Sequence, residues 1–220
     1  MPKQTFFNLA EEKRQNILSL AIDEFANYSY KEASISRIVK QAGIAKGSFY
    51  QYFEDKKDLY LYLLQLGLEQ KMAFFNKFTP PKENMGTFAY LRWMFSLRVQ
   101  FEVAEPKLNR IAYKAIYGDA PLLDETLAQG KEQANAMIKD LLQRGQAAGD
   151  LDPNLDPELA AFIFNAVFMQ LGDYLLKRLD VKPEELINDQ PYLFESATAE
   201  KIFHGVMDIL EQGMGRAIDS

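Results

Sequence analysis

Apolar residues between positions 34 and 59 form two short groups at helical spacing, and a glycine lies between the groups. The two groups are Ile35, Ile38, Val39 and Ala42, followed by Ile44, Phe49, Tyr52 and Phe53. Gly43, at the break, has no Cβ and so allows the left-handed backbone of a sharp turn. Ser34 precedes the first group and is placed to cap its first turn. The pattern predicts a helix-turn-helix, with the second helix at about 45–52.

The outer face of that second helix is polar. If Ile44, Phe49 and Tyr52 pack inward, five residues point outward, namely Lys46, Gly47, Ser48, Tyr50 and Gln51. The cation and the phenol can reach DNA phosphates, and the glycine lets the backbone approach a duplex closely. The Ser48 hydroxyl and the Gln51 amide can hydrogen-bond base edges. With Ser34, these five are the candidate DNA contacts, and an ordinary surface helix in an all-α protein is the alternative.

Helical spacing continues along most of the chain and predicts an all-α protein of about nine helices. Beyond the helix-turn-helix pair, the predicted helices lie at about 9–28, 55–78, 88–101, 106–117, 121–148, 158–179 and 196–217. Residues 1–9 show no clear period and are predicted to be a loose arm. We expect a three-helix DNA-binding domain at 1–54 and a helical effector-binding and dimerisation domain at 55–220.

The last two predicted helices have too little polar surface to stand alone. The helix at 158–179 is apolar on every side except at Asn165, Gln170 and Asp173, and the helix at 196–217 carries apolar residues on adjoining faces. A helix without a polar face must be covered all round, by its own chain or by a second copy. The pattern leaves both possibilities open, and in the second one these two helices would pack against the same helices of a symmetry mate.

Aromatic residues in the second predicted domain are the candidate lining of an effector pocket. Together with the polar Asn165, the candidates are Trp93, Phe101, Tyr113, Tyr117 and Phe168. They favour a small apolar or amphipathic effector, although the same side chains would equally serve a plain core. Arg92 lies on a polar strip that either faces solvent or holds an acidic group of the effector. Arg98 and Glu102, four residues apart, are predicted at a solvated edge.

Composition narrows the classes of function. The 220 residues include no cysteine and one histidine, His204, so disulfides, cysteine nucleophiles, histidine-based triads and multi-histidine metal sites are excluded. Without a P-loop, a dinucleotide-binding turn or an H-E-x-x-H motif, no catalytic residue, metal or cofactor is predicted. No apolar run reaches the roughly 18 residues of a membrane span, and the N-terminus lacks a signal peptide. A cytoplasmic protein without membrane contact is therefore expected.

Charge is distributed unevenly along the chain. The net charge is −6, but residues 1–53 carry seven Lys and Arg against five acidic residues, which leaves −8 on the remainder. Local cations favour phosphate binding, while an acidic body limits nonspecific adhesion to DNA. Because a net charge of +2 is modest, a single copy is expected to bind DNA weakly, and dimerisation would double its phosphate contacts.

Residues 42–59 carry a longer motif. Their sequence, A-G-I-A-K-G-S-F-Y-Q-Y-F-E-D-K-K-D-L, resembles the N-terminal signature of the TetR family of bacterial transcriptional regulators, whose usual form is A-G-V-S-K-G-T-L-Y-x-Y-F-x-S-K-E-x-L. Lys56 matches the family's lysine and is a further candidate phosphate contact, with a merely solvated charge as the alternative. Ser29, Val39 and Ala45 stand where the family usually has glycine, alanine and serine, and Ala45 implies a cap weaker by about 1 kcal/mol.

The resemblance implies a transcriptional regulator, most simply a repressor, that forms a homodimer. The family dimerises through its last two helices, which form a four-helix interface with their symmetry mates. Such a protein would hold a palindromic operator in double-stranded DNA until a small effector enters its helical body. The helix starting near Asp55 would then move and change the separation of the two recognition helices. Two alternatives stay open, a TetR-like DNA-binding protein without an effector that acts in chromosome organisation, and a helical enzyme or carrier.

Overall fold

The computed structural model describes residues 1–82, 85–117, 124–180 and 197–214. Those residues form ten α-helices and contain no strand, which confirms the all-α class. The helices are α1 (Gln4–Phe7), α2 (Glu11–Asn27), α3 (Ile35–Gln41), α4 (Lys46–Tyr52), α5 (Lys56–Phe75), α6 (Thr87–Ala104), α7 (Pro106–Tyr117), α8 (Asp124–Ala148), α9 (Pro157–Arg178) and α10 (Ala197–Met214). None of them, within the described residues, is long and apolar enough to cross a bilayer.

The helices gather into two compact units. The first holds residues 1–77 and 101–117, and the second holds the other described residues. The first unit thus contains α1 to α5 and α7, together with the end of α6. The second contains α8, α9, α10 and most of α6. The functional division predicted between residues 54 and 55 stays a prediction.

The first unit is built around a core of aromatic and aliphatic side chains that exclude water almost completely. Its fully buried members include Phe6, Ile17, Phe25, Ile38, Phe49, Phe53, Leu59 and Leu63. Inside this unit α2 packs against α3 and α7, and α5 packs against α7. Burying a large apolar side chain contributes roughly 1.5–3 kcal/mol. Burial therefore holds α3 and α4, since helices of seven residues are marginal by themselves.

The turn between α3 and α4 has the predicted form. Gly43 adopts a φ of +64°, in the left-handed region where a Cβ would be strained. The Ser34 hydroxyl accepts a hydrogen bond from the Arg37 amide at 3.4 Å, which confirms the predicted cap of α3. Ala45 precedes α4 and supplies no side-chain cap, as its methyl group requires.

The N-terminal segment is not the loose arm that the sequence predicts. Residues 4–7 form α1, and the Phe6 side chain is fully buried. Its ring centroid lies 4.8 Å from that of Phe53 and 6.0 Å from that of Tyr62. The prediction was wrong because one helical turn is too short to show a period, and because the residues that bury Phe6 lie far along the chain.

The second unit is held by aromatic stacking and by well-capped helices. The rings of Phe95 on α6 and Phe203 on α10 are nearly parallel, with their centroids 3.4 Å apart. The Asp156 carboxylate caps α9 by accepting a hydrogen bond from the Glu158 amide at 2.9 Å. Gly149, predicted to stop α8, has a φ of 81° just past its end. The predicted end of α8 is therefore confirmed, whereas the predicted start of that helix at 121 and end of the last helix at 217 lie outside the described residues.

The last two helices of the second unit expose large apolar side chains to solvent. We call this set the α9/α10 face, and it comprises Leu159, Phe162 and Tyr174 of α9 with Ile209 of α10. Phe162 is 66% exposed and Ile209 is 71% exposed. The neighbours of Ile209 one helical turn away on each side are Gly205 and Gly213, which have no side chains to shield it. Monomeric soluble proteins rarely leave such a surface uncovered.

Candidate nucleic-acid interface

The outer face of α4 is open to solvent, as the sequence predicts. Of the five predicted outer residues, Ser48 is half-buried and the exposed ones are Lys46, Gly47, Tyr50 and Gln51. Phe49 and Tyr52 point the other way and are 1% and 6% exposed. A methyl group placed on Gly47 would meet no heavy atom within 4 Å, so the backbone is bare at this point. The face offers a cation, a phenol, an amide and uncovered backbone, and its contacts with DNA stay a prediction.

An internal ion pair fixes the loop between α2 and α3. The Arg37 Nε lies 2.9 Å from Oε1 of Glu24, a carboxylate that is only 5% exposed. The same carboxylate oxygen accepts a hydrogen bond from the Ser34 amide at 2.7 Å. The hydrogen bond to Glu24 raises the pKa of Arg37 above its usual value, so its guanidinium stays cationic. Ser34, a candidate DNA contact, is thus tied to α2 through its amide and to α3 through its hydroxyl.

Lys56 of α5 binds main-chain carbonyls of this loop. Its ammonium lies 2.7 Å from the carbonyl oxygen of Tyr30, 3.1 Å from that of Ala33 and 3.2 Å from that of Lys31. An ammonium has three N–H donors, so these carbonyls use its whole donor capacity. A DNA phosphate would have to displace one of them, and the phosphate contact predicted for Lys56 stays a prediction. The structure gives this lysine a second role, closing the α2–α3 loop onto α5.

Lys114 of α7 binds carbonyls at and just past the end of α2, and the sequence analysis missed it. Its ammonium, in a side chain whose residue is only 8% exposed, lies 2.7 Å from the carbonyl oxygen of Ala26. The carbonyl oxygens of Tyr28 and Phe25 follow at 3.0 and 3.2 Å. Carbonyls at a helix end lack partners within the helix, and a cation there also complements the helix dipole. The one hint in the sequence is a lysine enclosed by apolar residues in I-A-Y-K-A-I-Y.

Few cations of the helix-turn-helix are left for a phosphate. Within the described part of the chain, the exposed Lys40 and Lys46 contact no carboxylate. Lys40 lies in the last turn of α3, three residues before Gly43. Of these two lysines only Lys46 is a predicted contact, although the position of Lys40 just ahead of the glycine turn was a usable signal. Among the described residues, Lys40 and Lys46 are thus cations of the helix-turn-helix that no carboxylate neutralises.

Two of the candidate effector residues belong to the core of the first unit. Phe101 is 2% exposed, and its ring centroid lies 5.5 Å from that of Phe74. The Tyr113 hydroxyl donates a hydrogen bond to the Glu102 carboxylate. Glu102 is therefore buried, with 1% exposure, and the solvated edge predicted for it was wrong because Tyr113 draws it inward. The side chain of Tyr117 lies outside the described part of the structure.

Arg92, the candidate partner of an acidic effector group, is occupied by α10 in the second unit. Its guanidinium lies 2.6 Å from the Asp208 carboxylate and 2.7 Å from that of Glu211. The positive charge of one guanidinium is thus balanced by two carboxylates of α10. Both contacts use the Nη2 group, and an acidic ligand approaching Arg92 would meet the negative charge of these two carboxylates.

The remaining effector candidates do not line the cleft found among the described residues of the second unit. Trp93 packs against Tyr90, the Asn165 amide donates to the Asn135 side chain at 2.7 Å, and Phe168 stacks on Phe164. The cleft, of about 790 Å³, lies between the start of α6 and the end of α8, and its polar lining includes Thr87, Arg144 and Asp150. The Thr87 hydroxyl donates to the Asp150 carboxylate at 3.3 Å, so these two groups satisfy each other.

Comparison with known families assigns both halves of the sequence. Residues 17–63, which include α3 and α4, match the family model described as bacterial regulatory proteins, tetR family. Residues 85–215 match the model described as tetracyclin repressor-like, C-terminal domain. The second match alone spans more than half of the chain.

Individual relatives agree with this assignment. The crystal structure of a TetR family transcriptional regulator from Chloroflexus aurantiacus J-10-FL is 48% identical, with a TM-score of 0.71 over 99% of this chain and 100% of that one. The HTH-type transcriptional regulator RutR of Escherichia coli strain K12 is 25% identical over 74% of each chain. The HTH-type transcriptional repressor KstR2 of Mycolicibacterium smegmatis is 28% identical over 67% of this chain and 71% of its own.

Proposed function

Because this chain belongs to the TetR family of bacterial regulatory proteins, we propose that it is a transcriptional repressor that binds a palindromic operator as a dimer. Family membership makes it a DNA-binding transcription regulator rather than an enzyme. We propose repression rather than activation, since the relative KstR2 is named a repressor. A cytoplasmic location belongs to the same proposal, because operator DNA lies there.

The exposed face of α4 is the observation that carries this proposal. A seven-residue helix with Phe49 and Tyr52 buried behind it presents Lys46, Tyr50 and Gln51 to solvent. B-DNA admits an α-helix into its major groove, where amide side chains can bond adenine edges and cations reach the phosphates. The bare backbone at Gly47 allows the helix to lie close to the duplex.

Two copies of this face are needed for operator binding. One face reads only one half-site, and a two-fold dimer reads two half-sites about one helical turn apart. The α9/α10 face supports such a dimer, because its apolar side chains are exposed in the single chain. The closed symmetry of homodimers means that the same surface on both copies would be covered.

Response to a small effector is the regulatory part of the proposal. We assign DNA binding to residues 1–54 and effector binding and dimerisation to residues 55–220. A small apolar or amphipathic molecule would act by binding one conformation better than another, and it can shift the equilibrium only by that difference in affinity. Of the candidate side chains in the second unit, Trp93 and Phe168 are aromatic and suit an apolar ligand.

Selection of bound fragments from random double-stranded DNA with the purified protein tests the proposal. The expected outcome is enrichment of an inverted repeat whose half-sites are separated by about one helical turn, roughly 10 base pairs. Enrichment of a single asymmetric site would contradict dimeric binding. Absence of any enrichment at low ionic strength would contradict operator binding as a whole.

Gly47→Ala is expected to weaken operator binding without harming the fold. Alanine is favoured over glycine within a helix by up to about 1 kcal/mol, and the added methyl group meets nothing in the free protein. In the complex that methyl group would lie between α4 and the duplex, and we expect at least about tenfold weaker binding. Fluorescence anisotropy gives the affinity and thermal denaturation the stability. Gly67→Ala on α5 is the control, since its nearest neighbour would be Leu108 at an ordinary 3.7 Å.

Lys46→Ala and Gln51→Ala are expected to affect DNA binding in different ways, the first lowering affinity for all sequences and the second lowering sequence preference. Loss of a phosphate contact at Lys46 should weaken binding to all sequences and lower the salt slope by about 0.9 per protomer. Loss of a base contact at Gln51 should instead relax the preference at one base pair of each half-site, by about 1–3 kcal/mol. Affinities for the selected operator and its single-base variants, measured across a salt series, separate the two. Equal weakening of all sequences by Gln51→Ala would show that its assigned role is wrong.

A further inference from the structure

The last turn of α4 is completed by residues from the start of the chain. An α-helix leaves its last four carbonyls without partners in the helix, and in α4 these belong to residues 49–52. The Phe53 amide satisfies the first of them, at 2.9 Å from the Phe49 oxygen. The other three accept hydrogen bonds from just two residues, Lys3 and Thr5. Every carbonyl of the last turn is therefore occupied.

The three bonds follow one another along the backbone of α4. The Lys3 ammonium lies 2.8 Å from the Tyr50 carbonyl oxygen, and the Lys3 amide lies 2.8 Å from that of Tyr52. The Thr5 hydroxyl donates to the Gln51 carbonyl between them. Two of these carbonyls belong to the residues whose side chains are proposed to contact DNA. Their backbone is thus held from behind while their side chains point outward.

Phe6 anchors this segment in the core. Its side chain is fully buried, with its ring centroid 4.8 Å from that of Phe53 and 6.1 Å from that of Tyr52. Burial of a whole phenyl ring restricts the positions of Lys3 and Thr5, three residues and one residue before it, since α1 is a single turn. Phe6 is thus one of the largest fully buried side chains among the described residues, and it lies where α1 packs against α4.

We propose that Lys3, Thr5 and Phe6 form an N-terminal clamp whose function is to hold the recognition helix α4 ready for DNA. A seven-residue helix with no side-chain cap at its start frays easily. Fraying of its last turn would misplace Tyr50 and Gln51, and that turn would have to be ordered again during binding. The clamp removes this requirement. Lys3 accordingly serves a carbonyl and not a phosphate, and the three are positioning residues.

The test uses full-length protein with Lys3→Met and Thr5→Val, singly and together, because both changes keep side-chain size and remove a donor. Gln4→Met is the matched control, since Gln4 lies on the same turn and bonds only Asn8 of its own segment among the described residues. Hydrogen exchange of the α4 amides is measured without DNA. Operator affinity is measured across a salt series, well below the melting temperature of each variant.

If the clamp exists, the amides of residues 50–53 should exchange at least about tenfold faster in the double variant than in the unchanged protein. Operator affinity should fall at least about tenfold, with an unchanged salt slope. Unchanged exchange, or unchanged affinity in a folded variant, would overturn it. A salt slope lowered by about 0.9 per protomer for Lys3→Met would also overturn it, because Lys3 would then contact a phosphate. The clamp rests on the proposed function only through its DNA readout. If the wild-type protein binds no DNA, the exchange experiment still decides whether residues 3 and 5 hold α4.

Discussion

Glutamate in place of Ile209 is expected to dissociate the dimer and to abolish operator binding at protein concentrations where the unchanged protein binds. Ile209 is 71% exposed in the single chain, so the substitution should change the stability of the monomer by no more than about 0.5 kcal/mol. In a two-fold dimer the new carboxylate would be buried, and each interface would contain two of them. An isolated buried charge costs several kcal/mol, so we expect dimerisation to weaken by at least a hundredfold.

Sedimentation equilibrium gives the association state, and anisotropy gives operator affinity for the same preparations. Phe162→Glu on α9 should behave like Ile209→Glu, because both residues belong to the α9/α10 face. Leu68→Glu on α5 is the control, since Leu68 is also apolar and 58% exposed but lies in the first unit. An Ile209→Glu protein that remains dimeric would show that the dimer uses another surface. A monomeric variant with undiminished operator affinity would contradict the need for two copies.

Lys114→Met is expected to lower the free energy of unfolding by about 2–4 kcal/mol. Methionine keeps the length of the side chain and removes the ammonium, which leaves the carbonyls of Phe25, Ala26 and Tyr28 without this donor. Unsatisfied buried carbonyls cost about 1–3 kcal/mol each, and part of that cost is recovered by relaxation towards water. Operator affinity should fall as well, because these carbonyls fix the end of α2 on which α3 rests.

Lys107→Met on the same helix is the matched control for Lys114→Met. Lys107 pairs with Asp23, and both side chains are well exposed. Exposed ion pairs contribute about 0–1 kcal/mol, so this variant should unfold almost as the unchanged protein does. Urea denaturation followed by circular dichroism compares the two. If both lysines have the same small effect, Lys114 is a surface charge in solution and the capping role assigned to it is wrong.

The sequence predicted those features whose causes lie within one or two helical turns. The left-handed Gly43, the cap by Ser34 and the buried Phe49 each follow from neighbours in the chain, and all three are confirmed. Local spacing also indicated which residues of α4 would face outward. These are the parts of the molecule in which residue type and helical period suffice.

The features that the sequence did not predict depend on partners far along the chain. Nothing near Lys56 indicates that its ammonium would meet carbonyls of the α2–α3 loop, since a lysine in a first helical turn is usually solvated. Glu102 has Arg98 four residues before it, as on a surface helix, yet Tyr113 draws it into the core. Phe6 has too few neighbours to show a period. In each case a tertiary contact overrides the local pattern.

The occupation of basic side chains by the protein itself also bears on how the molecule finds its target. Arg37 is paired with the Glu24 carboxylate, so the count of cations near the N-terminus overstates the number that can displace condensed sodium or potassium from a duplex. When few counterions are released, the protein is attracted only weakly to DNA of random sequence. Such a protein depends for occupancy on matching base pairs, and a change in ionic strength would alter its residence time less than that of a more cationic regulator.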